Sequence, residues 1–368
     1  MRIPGRALRR RALAVLLAGG ALNVMAYHHA RAFTRFAPPG LRTRQPEQLS
    51  VFEKVGVLAR GARVPRPENR RSPADLGLAY ETHVFPGVRD IPLEAWLVPH
   101  ASPRGTVVLF HGHAASKDSQ LREAKAFHEM GWNALLVDFH GSGGSGGSET
   151  SVGFHEATDV ARAFAYARRL PGSGPVVLYG ASMGAVAVLK AVADEDLEAH
   201  VLVLESPFDS LLQTVRHRFH TMGVPAFPSA HLLVFWGGVD QGFDGFAHRP
   251  LAAAPRITRP TLLLGGGADH WVTPGETRAI FEALRGPKSL HLFAGVGHEA
   301  LLRRRPDEWR AVVGAFLDRF LAKTVEAACY PARTGWTSRM STASWPRFWS
   351  VTGGEWPSSA ASGSWATA

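Results

Sequence analysis

Two serines in this 368-residue chain stand in the spacing Gly-x-Ser-x-Gly: Ser145 in "GGSGG", Gly143 to Gly147, and Ser182 in "GASMG", Gly180 to Gly184. A serine held on a tight turn between a strand and a helix is presented for nucleophilic attack, and small residues two before and two after let strand and helix close around it. With 38 glycines in the chain, the spacing alone is weak, so the flanking elements must decide. "VVLYGASMGAVAVLKAVA" gives Ser182 an apolar strand before it and a helix-forming stretch, Met183 to Ala193, after it. Ser145 follows "NALLVDF" but runs into the loop "GGSETSVG". Ser182 is the expected nucleophile and Ser145 a coincidental match.

An activated serine needs a base, and the base needs an orienting carboxylate. "GGGADHWVTP" ends an apolar run and delivers Asp269; "LHLFAGVGHEALL" ends the next and delivers His298. The order Ser182, Asp269, His298 is the one expected when all three project from successive strand ends of a parallel sheet. The competing readings are a helix cap for Asp269, ahead of a helix starting near Pro274, a surface-loop role for His298, and Glu205 or Asp209 as the acid. Acyl transfer also needs donors aimed at the developing oxyanion. Met183 offers its amide at a helix start, and "LFHGHAASK" places a glycine turn and then His113 after an earlier strand. His111 and His113 also read as an H-x-H metal pair, but no further ligands stand at a convincing spacing, and neither metal nor cofactor is expected.

The elements that must position these residues are legible as short apolar runs. "YETHVF" and "IPLEAWLV" read as an antiparallel hairpin; runs at 106–112, 133–139, 175–180, 200–206, 260–266 and 288–295 alternate with helical stretches at 118–130, 155–170, 183–193, 274–285 and 306–321. Alternation of this kind gives an α/β fold, a mostly parallel sheet covered by helices on both faces, with ligands at the carboxyl ends of the strands. An insertion at 207–259, including "HLLVFWGG", breaks the rhythm and reads as a lid, its apolar residues lining an acyl pocket or forming the lid's own small core. The tail, 324–368, holds half of the ten tryptophans in a Ser/Thr/Gly-rich, aperiodic stretch. It is expected to be disordered, and it reads as a frameshifted or spurious end rather than a module.

The chain carries a formal charge of +10, unevenly placed. Residues 1–71 hold fifteen of the Lys and Arg against three acids, whereas the remainder sets twenty-six against twenty-eight. The folded part is therefore near neutral, and nucleic-acid binding is not expected. The basic excess flanks an uncharged run from Ala12 to Ala30. That run, residues 1–30 with their flank, reads as an uncleaved membrane anchor, a signal cleaved after Ala26, or a soluble amphipathic arm. Arg31, Arg35, Arg42 and Arg44 follow it and nearly balance the arginines before it, so the positive-inside rule leans only slightly to an N-terminus in the cytoplasm. Residues 31–75 read as a basic arm and proline-punctuated linker, and 76–323 as the catalytic domain. The single cysteine, Cys329, excludes an intramolecular disulfide and leaves the redox compartment unreadable.

From about Tyr80 to Leu321 the chain resembles the α/β-hydrolase superfamily, close to its serine-aminopeptidase-like and monoacylglycerol-lipase-like branch. The resemblance rests on "HGH", "DFHGSGGS", "GASMG", "ESPF", "GGADHWVTP" and "GVGHE" in that order. It implies Ser182 as nucleophile, Asp269 and His298 as its partners, and the amides of His113 and Met183 as the oxyanion hole. One departure is His140, where such relatives commonly carry arginine, which puts in doubt any ion pair made there. The expected activity is hydrolysis of an ester or related acyl bond in a small-molecule substrate, without a cofactor, by an enzyme associated with a membrane or exported. A peptidase of the same fold, or a non-catalytic membrane-tethered binding or scaffold protein, are the alternatives.

Overall fold

The computed structural model describes residues 5–38, 40, 50–221, 223 and 225–327. Eight strands form one sheet in the order β1-β2-β4-β3-β5-β6-β7-β8. β1 (Glu81–Pro86) and β2 (Pro92–Val98) make the antiparallel hairpin that "PGVRD" folds. β2 pairs antiparallel with β4 (Asn133–Val137), and from there β3 (Thr106–Phe110), β5 (Val176–Ala181), β6 (Val201–Glu205), β7 (Thr261–Gly266) and β8 (Lys288–Phe293) run parallel.

Central strands buried on both faces read as continuous apolar runs, and their alternate residues feed two separate cores. Val108, Phe110, Leu135, Leu178, Leu202 and Leu263 pack on one side with α4 (Glu156–Ala167), α5 (Met183–Glu195) and α9 (Pro274–Ala283). Val107, Leu109, Leu136, Val177, Val203 and Leu264 pack on the other, with α3 (Leu121–Glu129) and α11 (Pro306–Ala327), which contribute Phe127 and Trp309. The expected elements lie within a few residues of these. α3 is shorter at its start, because Lys117–Gln120 forms a 3-10 turn. α11 continues through Ala327, past the start of the expected tail, and the rest of that tail lies outside the described residues, as do Arg42 and Arg44.

The insertion folds as α6 (Leu211–Thr221), α7 (Ser229–Gln241) and the short α8 (Pro250–Ala253). Val234 of α7 joins Phe208, Leu211, Val186 and Val272 in a small core, so part of "HLLVFWGG" packs between the insertion and the fold beneath it. Another part receives the N-terminus. The long helix α1 (Gly5–Thr34) buries Ala26 and Ala30 and lays Tyr27 edge-on against Trp236 of α7 at 5.5 Å. Arg35 pairs with Asp240 at 2.9 Å. Earlier in α1, Leu13, Val15, Leu16 and Leu17 are exposed. After a further helix, α2 (Val51–Arg60), the stretch expected as a linker packs on the glycine loop that follows β4: Arg66 donates to the carbonyls of Gly143, Ser145 and Gly147.

Candidate active site

Ser182 terminates β5 and caps α5 with φ 52° and ψ −114°, a conformation that non-glycine residues rarely hold and that clusters at functional sites. Its flanking glycines have steric reasons. A Cβ on Gly180 would come within 2.6 Å of the backbone at Gly184 and Ala185, and one on Gly184 would strike the carbonyl oxygens of Phe110 and His111. The crossing of β5, α5 and the end of β3 is therefore closed to any larger residue. The Ser182 amide donates to the Glu205 carbonyl at 2.7 Å, fixing the turn to the end of β6.

The end of β7 and the end of β8 bring Asp269 and His298 to that turn. Ser182 Oγ lies 3.2 Å from His298 Nε2, and His298 Nδ1 lies 2.7 Å from Asp269 Oδ2. Asp269 is 2% exposed, and its other oxygen accepts from the Trp271 and Val272 amides at 2.8 and 2.9 Å. Asp269 does not cap α9, where Thr273 does so in a capping box with Glu276. Nor do the alternative acids reach the imidazole: Glu205 accepts from Trp309 Nε1 at 2.5 Å, and Asp209 from Ser210. A hydroxyl, an imidazole and a buried carboxylate in this chain can pass the serine proton to the imidazole while the carboxylate fixes the tautomer with Nδ1 protonated.

The His113 and Met183 amides flank the same turn, and among the described residues neither finds an acceptor. Gly112 approaches closely enough that a Cβ there would contact the Ser182 Cβ at 3.7 Å. His111 is spent on structure, its Nδ1 donating to the Gly112 carbonyl at 2.8 Å while Nε2 accepts from the Phe139 amide at 3.1 Å. The His113 ring donates from Nε2 to the Phe33 carbonyl at the end of α1. Enclosure there, helped by the charge of Arg218, pushes that imidazole down to about 4, so it is neutral at ordinary pH. Among the described residues no cluster of His, Cys, Asp or Glu could hold a metal ion.

Ser145 occupies a different role. It is 3% exposed, its Oγ donates to the Asp138 carbonyl at 2.7 Å and accepts from the Glu94 amide at 2.8 Å. Its glycine loop wraps the Asp138 carboxylate, which takes the Gly144 amide, the Asn69 side chain and Lys117. Lys117 is 1% exposed, contacts Asp138 and Glu94, and sits 4.1 Å above the Trp96 ring. Burial would raise the Asp138 carboxyl, but Lys117 and His111 pull it below its ordinary range. A Cβ on Gly143 would collide with that carboxylate. Lys117 and Arg66 escaped the sequence reading because "ASKDS" and "VPRPEN" look like solvated loops.

His140 makes an ion pair after all. Its Nδ1 lies 2.5 Å from Asp159, and Nε2 lies 4.0 Å from Glu156. Burial lowers the imidazole, but the two acids outweigh it and hold it up at about 9. Glu156, buried yet facing His140 and the hydroxyls of Ser151 and Thr150, falls to about 2. It gathers the loop before α4, accepting from Ser151 and Gly153 amides, and Thr150 in turn contacts the Met183 side chain.

Comparison with known proteins supports the α/β-hydrolase fold. A family model described as Serine aminopeptidase, S33 matches residues 101–232. The chain is 28% identical over 225 residues to Uncharacterized protein YqkD of Bacillus subtilis, covering 60% of this chain and 73% of that one. It is 25% identical over 165 residues to Lysophosphatidylserine lipase ABHD12 of Xenopus tropicalis, covering 43% and 39%. The structure of the Pyrococcus furiosus esterase Pf2001 superposes with a TM-score of 0.59 at 24% identity, covering 70% of this chain and 97% of the esterase.

Proposed function

We propose that this chain, a member of the α/β-hydrolase superfamily, is a serine hydrolase that cleaves a carboxylic ester or related acyl bond through a covalent acyl-enzyme on Ser182. The relay from Ser182 through His298 to Asp269, carried on a strained turn, is the observation behind this reading. Ser182 Oγ attacks the acyl carbonyl as His298 Nε2 takes its proton, and the His113 and Met183 amides receive the oxyanion. His298 then returns the proton to the leaving alcohol, and water repeats the sequence to release the acid.

Ester cleavage is favoured over aminopeptidase action by charge. The mouth of the site carries the charge of Arg218, without a carboxylate partner among the described residues, and that charge repels the α-ammonium of a peptide substrate. The first half of α1 acts as a membrane anchor in this reading. Leu8–Thr34 is long and apolar enough to cross a membrane by length and composition. Cleavage after Ala26 would remove Asn23, whose side chain accepts from Trp236 at 3.4 Å, and would halve the docked helix, so the uncleaved form fits the packing better. The exposed stretch from Leu8 to Ala21 reaches roughly 20 Å at 1.5 Å per residue, short of the ~30 Å hydrocarbon core. It suits insertion into one leaflet while the rest stays docked.

The test is labelling by a fluorophosphonate probe together with hydrolysis of nitrophenyl esters of graded acyl length. Wild type and Ser145→Ala should label and Ser182→Ala should not, with turnover falling roughly 10⁴-fold or more in the last. Equal labelling of Ser182→Ala, or none of the wild type, rejects the assignment.

A further inference from the structure

We propose that Arg218 recognises an anionic group on the alcohol portion of the substrate, which makes this enzyme a hydrolase of acidic acyl esters, phosphorylated or carboxylated. The proposal rests on the serine-hydrolase reading of Ser182, Asp269 and His298.

Arg218 projects from lid helix α6 toward the ring of Trp271, its guanidinium carbon 5.2 Å from the ring centroid, with the Phe33 ring of α1 at 6.0 Å. Trp271 in turn packs on His298, the ring centroids 5.5 Å apart. The cation is thus one aromatic ring removed from the imidazole that protonates the leaving alcohol, which places it on the leaving-group side of the scissile bond.

Its charge is uncompensated. Among the described residues no carboxylate lies within ion-pair distance, and the buried Nε meets no acceptor. Burial lowers its affinity for the proton with no acid nearby to restore it. The other arginines around this mouth are satisfied: Arg31 and Arg35 face Asp240, and Arg66 caps carbonyls. Glu276 is engaged by the Thr273 cap and by His217 at 3.4 Å. Holding a guanidinium against two aromatic faces, partly desolvated and without a counter-ion, costs free energy in the unliganded protein. Stacking occupies its faces and leaves the planar N–H fork, whose geometry matches a carboxylate or phosphate.

The experiment compares esters with one acyl chain: 1-acylglycerol, 1-acylglycerol 3-phosphate, and the acyl ester of glyceric acid. Wild type should prefer the anionic substrates, and the two arms separate phosphate from carboxylate recognition. In Arg218→Gln the ratio of anionic to neutral kcat/KM should fall by roughly 10–100-fold, the range for a hydrogen bond to a charged group, and Arg218→Lys should restore part of it. With the wild type alone, glycerol 3-phosphate or glycerate should inhibit hydrolysis of a neutral ester where glycerol does not. An equal loss on neutral and anionic esters, or a wild-type preference for the neutral one, overturns the role of Arg218. Fluorophosphonate labelling of Ser182 in the same preparation keeps the outcomes apart: with labelling present only the Arg218 inference falls, and with labelling absent the hydrolase reading falls and Arg218 with it.

Discussion

At the scale of single residues, the buried acids near Ser182 set the response to pH. Glu205 and Glu123 lie on the α3–α11 side of the sheet and are 4% and 3% exposed. Burial raises Glu205 to about 7 against the hydrogen bonds it accepts from Trp309 and Tyr179; burial and the Glu205 charge raise Glu123 to about 8. Both folded values stand above the ordinary 4.5, so their contribution is fully present below that pH and is lost as pH rises through 7 and 8. His140, raised to about 9 from 6.5, adds to the same alkaline loss, whereas Glu156, lowered to about 2, contributes above 4.5 and loses that only in strong acid. The melting temperature should therefore fall as pH rises from about 4.5 to 9, and Glu123→Gln should flatten part of that decline below pH 8 and leave the part due to His140. An unchanged slope in scanning calorimetry would contradict the protonated state of Glu123.

At the scale of elements, the strand-turn-helix of β5 and α5 depends on backbone contact that only glycine permits. Gly184 lies against the carbonyls of Phe110 and His111, so its replacement by alanine must push α5 away from β3. Overpacking of this sort costs about 1–3 kcal/mol, and it displaces the Met183 amide from the site. Gly184→Ala should lower the urea midpoint by that equivalent and cut Ser182 labelling rates at least tenfold. Retained labelling at wild-type rate would mean that the crossing tolerates the methyl group. This element was legible in the sequence because its demands are local: a strand period, two small residues and an uninterrupted helix. The same locality separated Ser182 from Ser145. The helices of the insertion were legible only as an interruption, since part of the apolar surface of α6 and α7 faces each other and α1 rather than the sheet.

At the scale of the whole molecule, α1 is both a candidate anchor and a wall of the site. Its last turn brings the Phe33 carbonyl to the His113 ring and the Phe33 ring to Arg218, and Phe36 follows with its ring centroid 6.2 Å from that of His113. Removing residues 1–22 should release the protein from liposomes in a flotation assay while Ser182 still labels. Removing residues 1–36 should expose Trp236, lower the melting temperature by several degrees and slow labelling; equal behaviour of the two truncations would separate α1 from the site. By itself the sequence determined the α/β alternation, the order in which Ser182, Asp269 and His298 leave their strands, and the confinement of basic charge to the first 71 residues. These follow from periodicity, turn chemistry and counting, which a linear chain displays directly. Only the tertiary structure decided that α1 docks on α7, that Arg66 and Lys117 hold the glycine loop, that His140 keeps an ion pair, and that Arg218 stands without one among the described residues. Burial and partnership arise between residues far apart in the chain, and a charge in a sequence looks the same whether folding pairs it or leaves it alone.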